Sequence, residues 1–185
     1  MMQYNLSNPW KTLSSKIAYK NPWITLREDQ VITPAGKEGI YGVVECKIAT
    51  GVVAVTKDGG IILVGQYRYT MDEYSWEIIE GGTEIDENPE FAAQRELKEE
   101  AGLISSNFIQ LGPEIHLSNS HSNERALLYL ATELESVPAE PEDTEILSIK
   151  EVSYLEAVEL IENGGIKDAL SIIGIYRAGR KLNLI

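Results

Sequence analysis

From Trp23 to Glu45, apolar and polar positions alternate as in a strand pair. Ile24, Leu26, Val31 and Ile32 precede the turn residues Pro34, Ala35 and Gly36, and Tyr41, Val43 and Val44 make the return strand. Two apolar runs, residues 52–56 and 61–64, are joined through Asp58, Gly59 and Gly60, a strong hairpin signal. Residues 108–111 and 126–130 read as further strands. Between them lies a helix with clear ends: Asn88 suits the N-cap, Pro89 the first helical position, and Gly102 a left-handed C-cap. After an acidic, proline-bearing loop at 137–143, a strand at 146–152 leads to two helices. The first covers about 154–162 and stops at Gly164-Gly165. The second covers about 167–180, with Ala169, Ile172, Ile173 and Tyr176 at helical spacing. Strands, a helix, more strands and then helices predict an α/β sandwich with mixed strands.

Hydrophobic residues form 43% of the 185-residue chain and charged residues 24%, enough for a packed core. No apolar run approaches the roughly 20 residues needed to cross a bilayer. Residues 1–11 lack the basic-then-apolar order of a signal peptide. The single cysteine, Cys46, has no intramolecular disulfide partner and reads as a small buried apolar residue. These features predict a cytoplasmic protein. A formal net charge of −13 repels nucleic acid phosphates, so a general nucleic-acid-binding role is disfavoured. A small phosphorylated substrate then requires local cations, from a metal ion or a few side chains.

Candidate chemistry is densest between Gly81 and Leu103. At about 100° per residue, Glu96, Glu99 and Glu100 fall within an arc of roughly 100°, while Ala93, Leu97 and Ala101 occupy another arc and can pack inward. Carboxylates this close raise one another's pKa unless a cation intervenes. The pattern suits either a solvated acidic face or a site for a hard divalent cation such as Mg²⁺. Arg95 can brace these carboxylates, or Glu87, by a planar two-point contact.

Gly81, Glu87, Arg95, Glu96, Leu97, Glu99, Glu100, Gly102 and Leu103 fill every specified position of G-x5-E-x7-R-E-U-x-E-E-x-G-U, with U aliphatic. The stretch resembles the Nudix box. That resemblance implies a Nudix α/β/α sandwich around a mixed β-sheet, here preceded by a small N-terminal antiparallel β element. It implies Mg²⁺, or Mn²⁺, held mainly by Glu96 and Glu100, with Glu99 as a further ligand and the Glu80 carbonyl as a backbone ligand. Gly81, Glu87, Arg95 and Gly102 would support the helix that carries them.

Outside the box the chain is similar to the ADP-ribose pyrophosphatase branch of that family. The similarity rests on Pro34-Ala35-Gly36, Gln66-Tyr67-Arg68, Glu77, and Gly164, Ile166, Asp168 and Ala169. By chemistry alone Arg68 is either a surface ion-pair partner or a grip on a diphosphate. Glu77 is either a partner for a cation or a reader of base or sugar. With the likeness both become substrate-binding candidates. The polar stretch 118–125 sits between two strands, where a scaffold commonly presents chemistry. Ser118 and Glu124 match the branch's Ser-Pro-Gly-x-x-x-Glu loop, which implies Glu124 as catalytic base with Glu99 as substitute. Asn119 and Ser120 stand where that loop has proline and glycine, which weakens the assignment to ADP-ribose and leaves other nucleoside diphosphate sugars open. Ser118 and His121 are candidate substrate contacts, and His121 is also available for acid–base work.

The resemblance implies hydrolysis of a nucleoside diphosphate sugar to a nucleoside monophosphate and a sugar phosphate. It leaves a dinucleoside polyphosphate, a free nucleotide, or a catalytically silent sensor as rivals. An isomerase on the same fold needs a modified box, and the box here is intact. Residues 1–47 are expected to form the N-terminal β element and residues 48–185 the catalytic domain, and the resemblance implies a homodimer formed through the N-terminal element. Trp10, Trp23 and Tyr41 suit either an aromatic interface or core packing.

Overall fold

The computed structural model describes residues 7–140 and 146–185. The readings made of residues 1–6, and of the part of the acidic loop at 141–143, lie outside them. The chain divides into two compact units, one holding residues up to Lys47 together with Ser118–Glu124, the other Ile48–Leu117 and Arg125–Ile185.

The first unit is an antiparallel sheet, β1 (Lys11–Lys20), β2 (Ile24–Ile32) and β3 (Glu38–Cys46), in that spatial order. The β2–β3 pairing is continuous from Ile32↔Glu38 to Ile24↔Cys46. Its turn closes where the Gly36 N–H donates to the Thr33 carbonyl, with Gly36 at φ 77°, a conformation suited to glycine. Strand β1 is an addition to the sequence expectation. Register shifts between Thr12 and Ser14 and between Ile17 and Tyr19 interrupt its pairing with β2, and Leu13, Ile17 and Tyr19 are the large apolar residues along it. All ten of its residues are exposed. Trp10 and Trp23 are exposed as well, so neither is core.

The second unit is built on a mixed sheet ordered β11-β5-β4-β10-β8. Its strands are β4 (Ala49–Val55), β5 (Ile61–Arg68), β6 (Glu73–Glu77), β7 (Ile79–Gly82), β8 (Leu103–Gln110), β9 (Ile115–His116), β10 (Arg125–Ser136) and β11 (Ser148–Val152). β4 and β10 run parallel, while β6 and β7 pair antiparallel with β5 and β4. The Asp58-Gly59-Gly60 hairpin forms as expected, with Ala54↔Ile62 and Val55↔Ile61 in register. β8 begins at Leu103, well before the expected start at residue 108.

Alternation along β4 sends successive side chains to opposite faces. Val52 and Ala54 join Val64, Ile79, Ala93 and Leu97 beneath helix α1 (Pro89–Ala101). Val53 and Val55 join Ile78, Leu128, Tyr154, Leu170 and Ile175 beneath α2 (Tyr154–Glu162) and α3 (Ala169–Lys181). The result is the α/β/α layering expected. α1 has the anticipated ends: the Asn88 side chain accepts from the Glu90 N–H, and Gly102 is left-handed at φ 61°. α3 starts two residues later than expected, because Asp168 caps it from outside, accepting from the Ser171 N–H. Among the described residues no helix is long and apolar enough to cross a membrane.

Candidate active site

The three carboxylates of α1 do not crowd one arc unrelieved. Glu100 turns inward, only 4% exposed, and accepts the Glu80 backbone N–H at 3.2 Å. The expectation placed it beside Glu96 on one polar face; its position beside the buried arc lets β7 claim it. Glu96 and Glu99 share one guanidinium, with Arg95 Nη1 donating to Glu96 Oε1 at 2.7 Å and Glu99 Oε2 at 2.9 Å. Arg95 also reaches Glu87 through Nε and Nη2, both at 3.2 Å, and the Gly82 carbonyl at 3.0 Å. Hydrogen bonding to Glu87 first, then the charge of Glu96, raises the pKa of Arg95 against the desolvation that opposes it. In turn, Glu87 accepts the Glu84 N–H at 2.7 Å, which ties the acidic loop to the helix.

Gly81 explains how Glu96 reaches the strand. A Cβ at 81 would overlap the Glu96 carboxylate. Glu80 pairs with Gly51 across β7 and β4, while its N–H faces Glu100, so its carbonyl lies on the same strand edge, toward α1.

Beside this lies the β5–β6 hairpin. Arg68 grips Glu77 with Nε at 3.0 Å from both carboxylate oxygens, and its Nη2 closes the fork on Oε2. Glu77 is 3% exposed whereas the Arg68 side chain keeps 37%, so the fork buries the acid and leaves the arginine side chain partly accessible. The Glu80 side chain points instead to α3, where Ser171 Oγ donates to Oε1 at 2.6 Å. Enclosure pushes the Glu80 carboxyl well above the usual carboxylate range. The neighbouring Asp168 pushes it the same way by charge and hydrogen bonding, against the Ser171 donation. Asp168 and Ser171 were not anticipated as site residues. Their spacing signals a cap, but nothing local points to a strand some ninety positions earlier.

Ser118, His121 and Glu124 belong to the other unit, where Ser118–Glu124 is fastened to β3. Val44 and Ser122 form a bridge, Tyr41 Oη donates to the Ser120 carbonyl at 2.5 Å, and Asn123 Oδ1 accepts the Cys46 N–H at 2.9 Å. His121 lies within hydrogen-bond reach of Ser118 Oγ, 3.0 Å from Nε2, and of Ser120 Oγ, 3.1 Å from Nδ1. The Glu124 N–H donates to Ser122 Oγ at 2.9 Å. Cys46 is half-buried with Sγ 3.9 Å from Ser122 Oγ, and burial pushes its thiol up.

Glu96, Glu99, Glu100 and the Glu80 carbonyl offer only oxygen donors, the chemistry a hard divalent cation requires. Among the described residues no three acidic, histidine or cysteine side chains converge in a ready-made cage. Arg95 is a cation that both Glu96 and Glu99 contact. The donor set thus fits such an ion in kind.

Residues 47–170 match the NUDIX domain, and residues 10–44 match the nucleoside diphosphate sugar hydrolase N-terminal domain. The chain is 30% identical over 167 residues to the ADP-ribose pyrophosphatase of Bacillus subtilis, covering 89% of this chain and 90% of that one. It is 31% identical over 169 residues to the ADP-ribose pyrophosphatase of Mycobacterium tuberculosis, covering 90% and 81%. The crystal structure of an ADP compounds hydrolase superposes with a TM-score of 0.86 at 18% identity, over 98% of this chain and 97% of that one.

Proposed function

We propose, because this chain belongs to the Nudix hydrolase family and to its ADP-ribose pyrophosphatase-like group, that it cleaves the diphosphate of a nucleoside diphosphate sugar with Mg²⁺ as its ion. The observation that carries this proposal is the fold of α1 onto β7: Glu96 over Gly81, and Glu100 fixed by the Glu80 N–H. Nudix hydrolases generally use divalent ions, and Glu96, Glu99, Glu100 and the Glu80 carbonyl would hold one here. Such an ion supplies Lewis-acid neutralisation of the diphosphate charge and lowers the pKa of water.

The side chains do the rest. Water oxygen bonds to one phosphorus, the bond to the bridging oxygen breaks, and a nucleoside monophosphate and a sugar phosphate leave. A carboxylate accepts the water's proton; Glu124 is proposed for this and Glu99 is its substitute. Arg68, whose side chain is partly accessible, is proposed to hold a phosphate oxygen, while Glu77 serves as the buried partner that aims it. Ser118 and His121 are proposed substrate contacts. The N-terminal match at 10–44 and the pyrophosphatase relatives support a sugar-linked diphosphate as substrate. The bare apolar side chains of β1, Leu13, Ile17 and Tyr19, support a homodimer, since exposed strands with such residues attract partners. Sedimentation velocity tests it.

The substrate test is incubation with ADP-ribose, GDP-mannose, UDP-glucose and a dinucleoside polyphosphate in ¹⁸O-water, with and without Mg²⁺. Mass spectrometry should find label in a monophosphate product from one of the sugar-linked substrates, and only with metal. Turnover confined to the dinucleoside polyphosphate would overturn the sugar assignment.

A further inference from the structure

We propose that Ser171, on the C-terminal helix α3, is a positioning residue for the acidic site, fixing the backbone of residues 78–80 from which Glu100 and Glu96 are held. The proposal rests on Glu96 and Glu100 being metal ligands.

Ser171 is fully buried, at 0% exposure. Its Oγ accepts the Ile78 N–H at 3.0 Å and donates to Glu80 Oε1 at 2.6 Å. The hydroxyl's one proton is therefore committed to Glu80 and a lone pair to Ile78. Ile78 is the residue that joins β6 to β7, so the contact lies at the root of the strand. Two residues on, Glu80 is held at its carboxyl by α3 while its own N–H holds Glu100 at 3.2 Å. One further residue brings Gly81, the floor under Glu96. Asp168 Oδ2 in turn accepts the Ser171 N–H at 2.7 Å, which sets the first turn of α3.

Two glycines bring helix and strand close enough for these bonds. A Cβ at Gly174, on α3, would come within 2.9 Å of Ile78 Cδ1. One at Gly51, on β4, would lie 3.0 Å from that same atom and 3.2 Å from Leu170 Cδ2. The space around Ile78 is thus cleared from both sides, independently of the serine. Mutating groups that hydrogen-bond to metal ligands typically costs about 10- to 100-fold in metal affinity or activity. Ser171 acts one step behind such a support, through the Glu80 backbone.

The test is a Mn²⁺ titration of the resting protein followed by electron paramagnetic resonance, for the wild type, Ser171→Ala and Ile175→Val. Ser171→Ala should weaken Mn²⁺ binding by about tenfold, the lower end of the range for direct partners of the ligands. Ile175→Val trims the buried face of the same helix and should lower the thermal midpoint while keeping the wild-type affinity. Unchanged affinity in Ser171→Ala, or an equal loss in Ile175→Val, overturns the positioning role and leaves the metal site standing. A wild type that takes up no Mn²⁺ sinks the metal site itself and the positioning role with it. If Ser171→Ala fails to fold, amide hydrogen exchange on the wild type decides. Exchange at Ile78 and Glu80 should slow together when Mg²⁺ is added, and indifference at Ile78 overturns the proposal.

Discussion

The backbone of Gly81 runs directly beneath the carboxylate of Glu96, so close that a single methyl group at position 81 would overlap it. Gly81 is not among the glycines with positive φ. The need for glycine here is space, not backbone conformation.

Gly81→Ala should therefore leave the fold in place and displace Glu96. Turnover of the best nucleotide substrate should fall about 10- to 100-fold, the range for disturbed support of a metal ligand, with an unchanged far-ultraviolet circular dichroism spectrum. Wild-type turnover in this variant would mean that Glu96 is not needed where the structure puts it.

Arg95 joins Glu87, Glu96, Glu99 and the Gly82 carbonyl in one network. Its side chain is 31% exposed, so part of each interaction is screened by water. Arg95→Ala should lower stability in EDTA by about 1–3 kcal/mol, the range for losing hydrogen bonds to charged groups. Urea denaturation measures it, and saturating Mg²⁺ should restore part of the loss by neutralising the carboxylates left behind. No recovery with Mg²⁺ would count against a cation site on Glu96 and Glu99.

The Arg68–Glu77 fork is asymmetric, with the acid buried and the base partly solvated. Arg68→Ala strands a buried carboxylate and should cost stability toward the lower end of the ~3–5 kcal/mol seen when buried pairs are broken. Glu77→Gln keeps a neutral acceptor in place and should cost less. Parallel denaturation curves at neutral pH decide the order, and the reverse order would show that Glu77 is not the dependent partner.

Asp29 supplies a pH signature. It is 6% exposed, and the Arg27 hydrogen bond, with help from Ser15, holds its carboxyl below the usual range. A carboxylate whose folded pKa is depressed adds stability above its unfolded pKa of about 4 and loses it as pH falls through the folded value. The gap in thermal midpoint between wild type and Asp29→Asn should accordingly be full at pH 7. It should narrow below about pH 4 and close in stronger acid. A gap independent of pH would remove the ion pair from the account.

Local chemistry made much of the scaffold legible. Asn88, Pro89 and Gly102 set both ends of α1, and Asp58-Gly59-Gly60 set the hairpin. Arg95 reads as a brace for the helix carboxylates or Glu87, and the structure joins it to Glu87, Glu96 and Glu99. What stayed hidden has a physical reason in each case. β1 has no buried face, and with Leu13, Ile17 and Tyr19 as its large apolar residues it lacks the dense apolar run of a core strand. Glu100 looks polar in a helical projection, yet a strand N–H draws it inside. Ser171 is an unremarkable serine until its hydroxyl is seen spanning from α3 to Ile78 and Glu80. Contacts between residues so far apart in the chain leave no periodic trace.

The fastening of Ser118–Glu124 to β3 bears on how this protein can be cut and recombined. A chain trimmed to start at Ile48 would retain the entire acidic helix, yet His121 and Glu124 would lose the strand that gives their loop its shape. Swapping the first 47 residues for those of a relative would reshape that loop without altering a single letter of it. The N-terminal sheet and a stretch of sequence some seventy residues downstream are therefore expected to vary as one module.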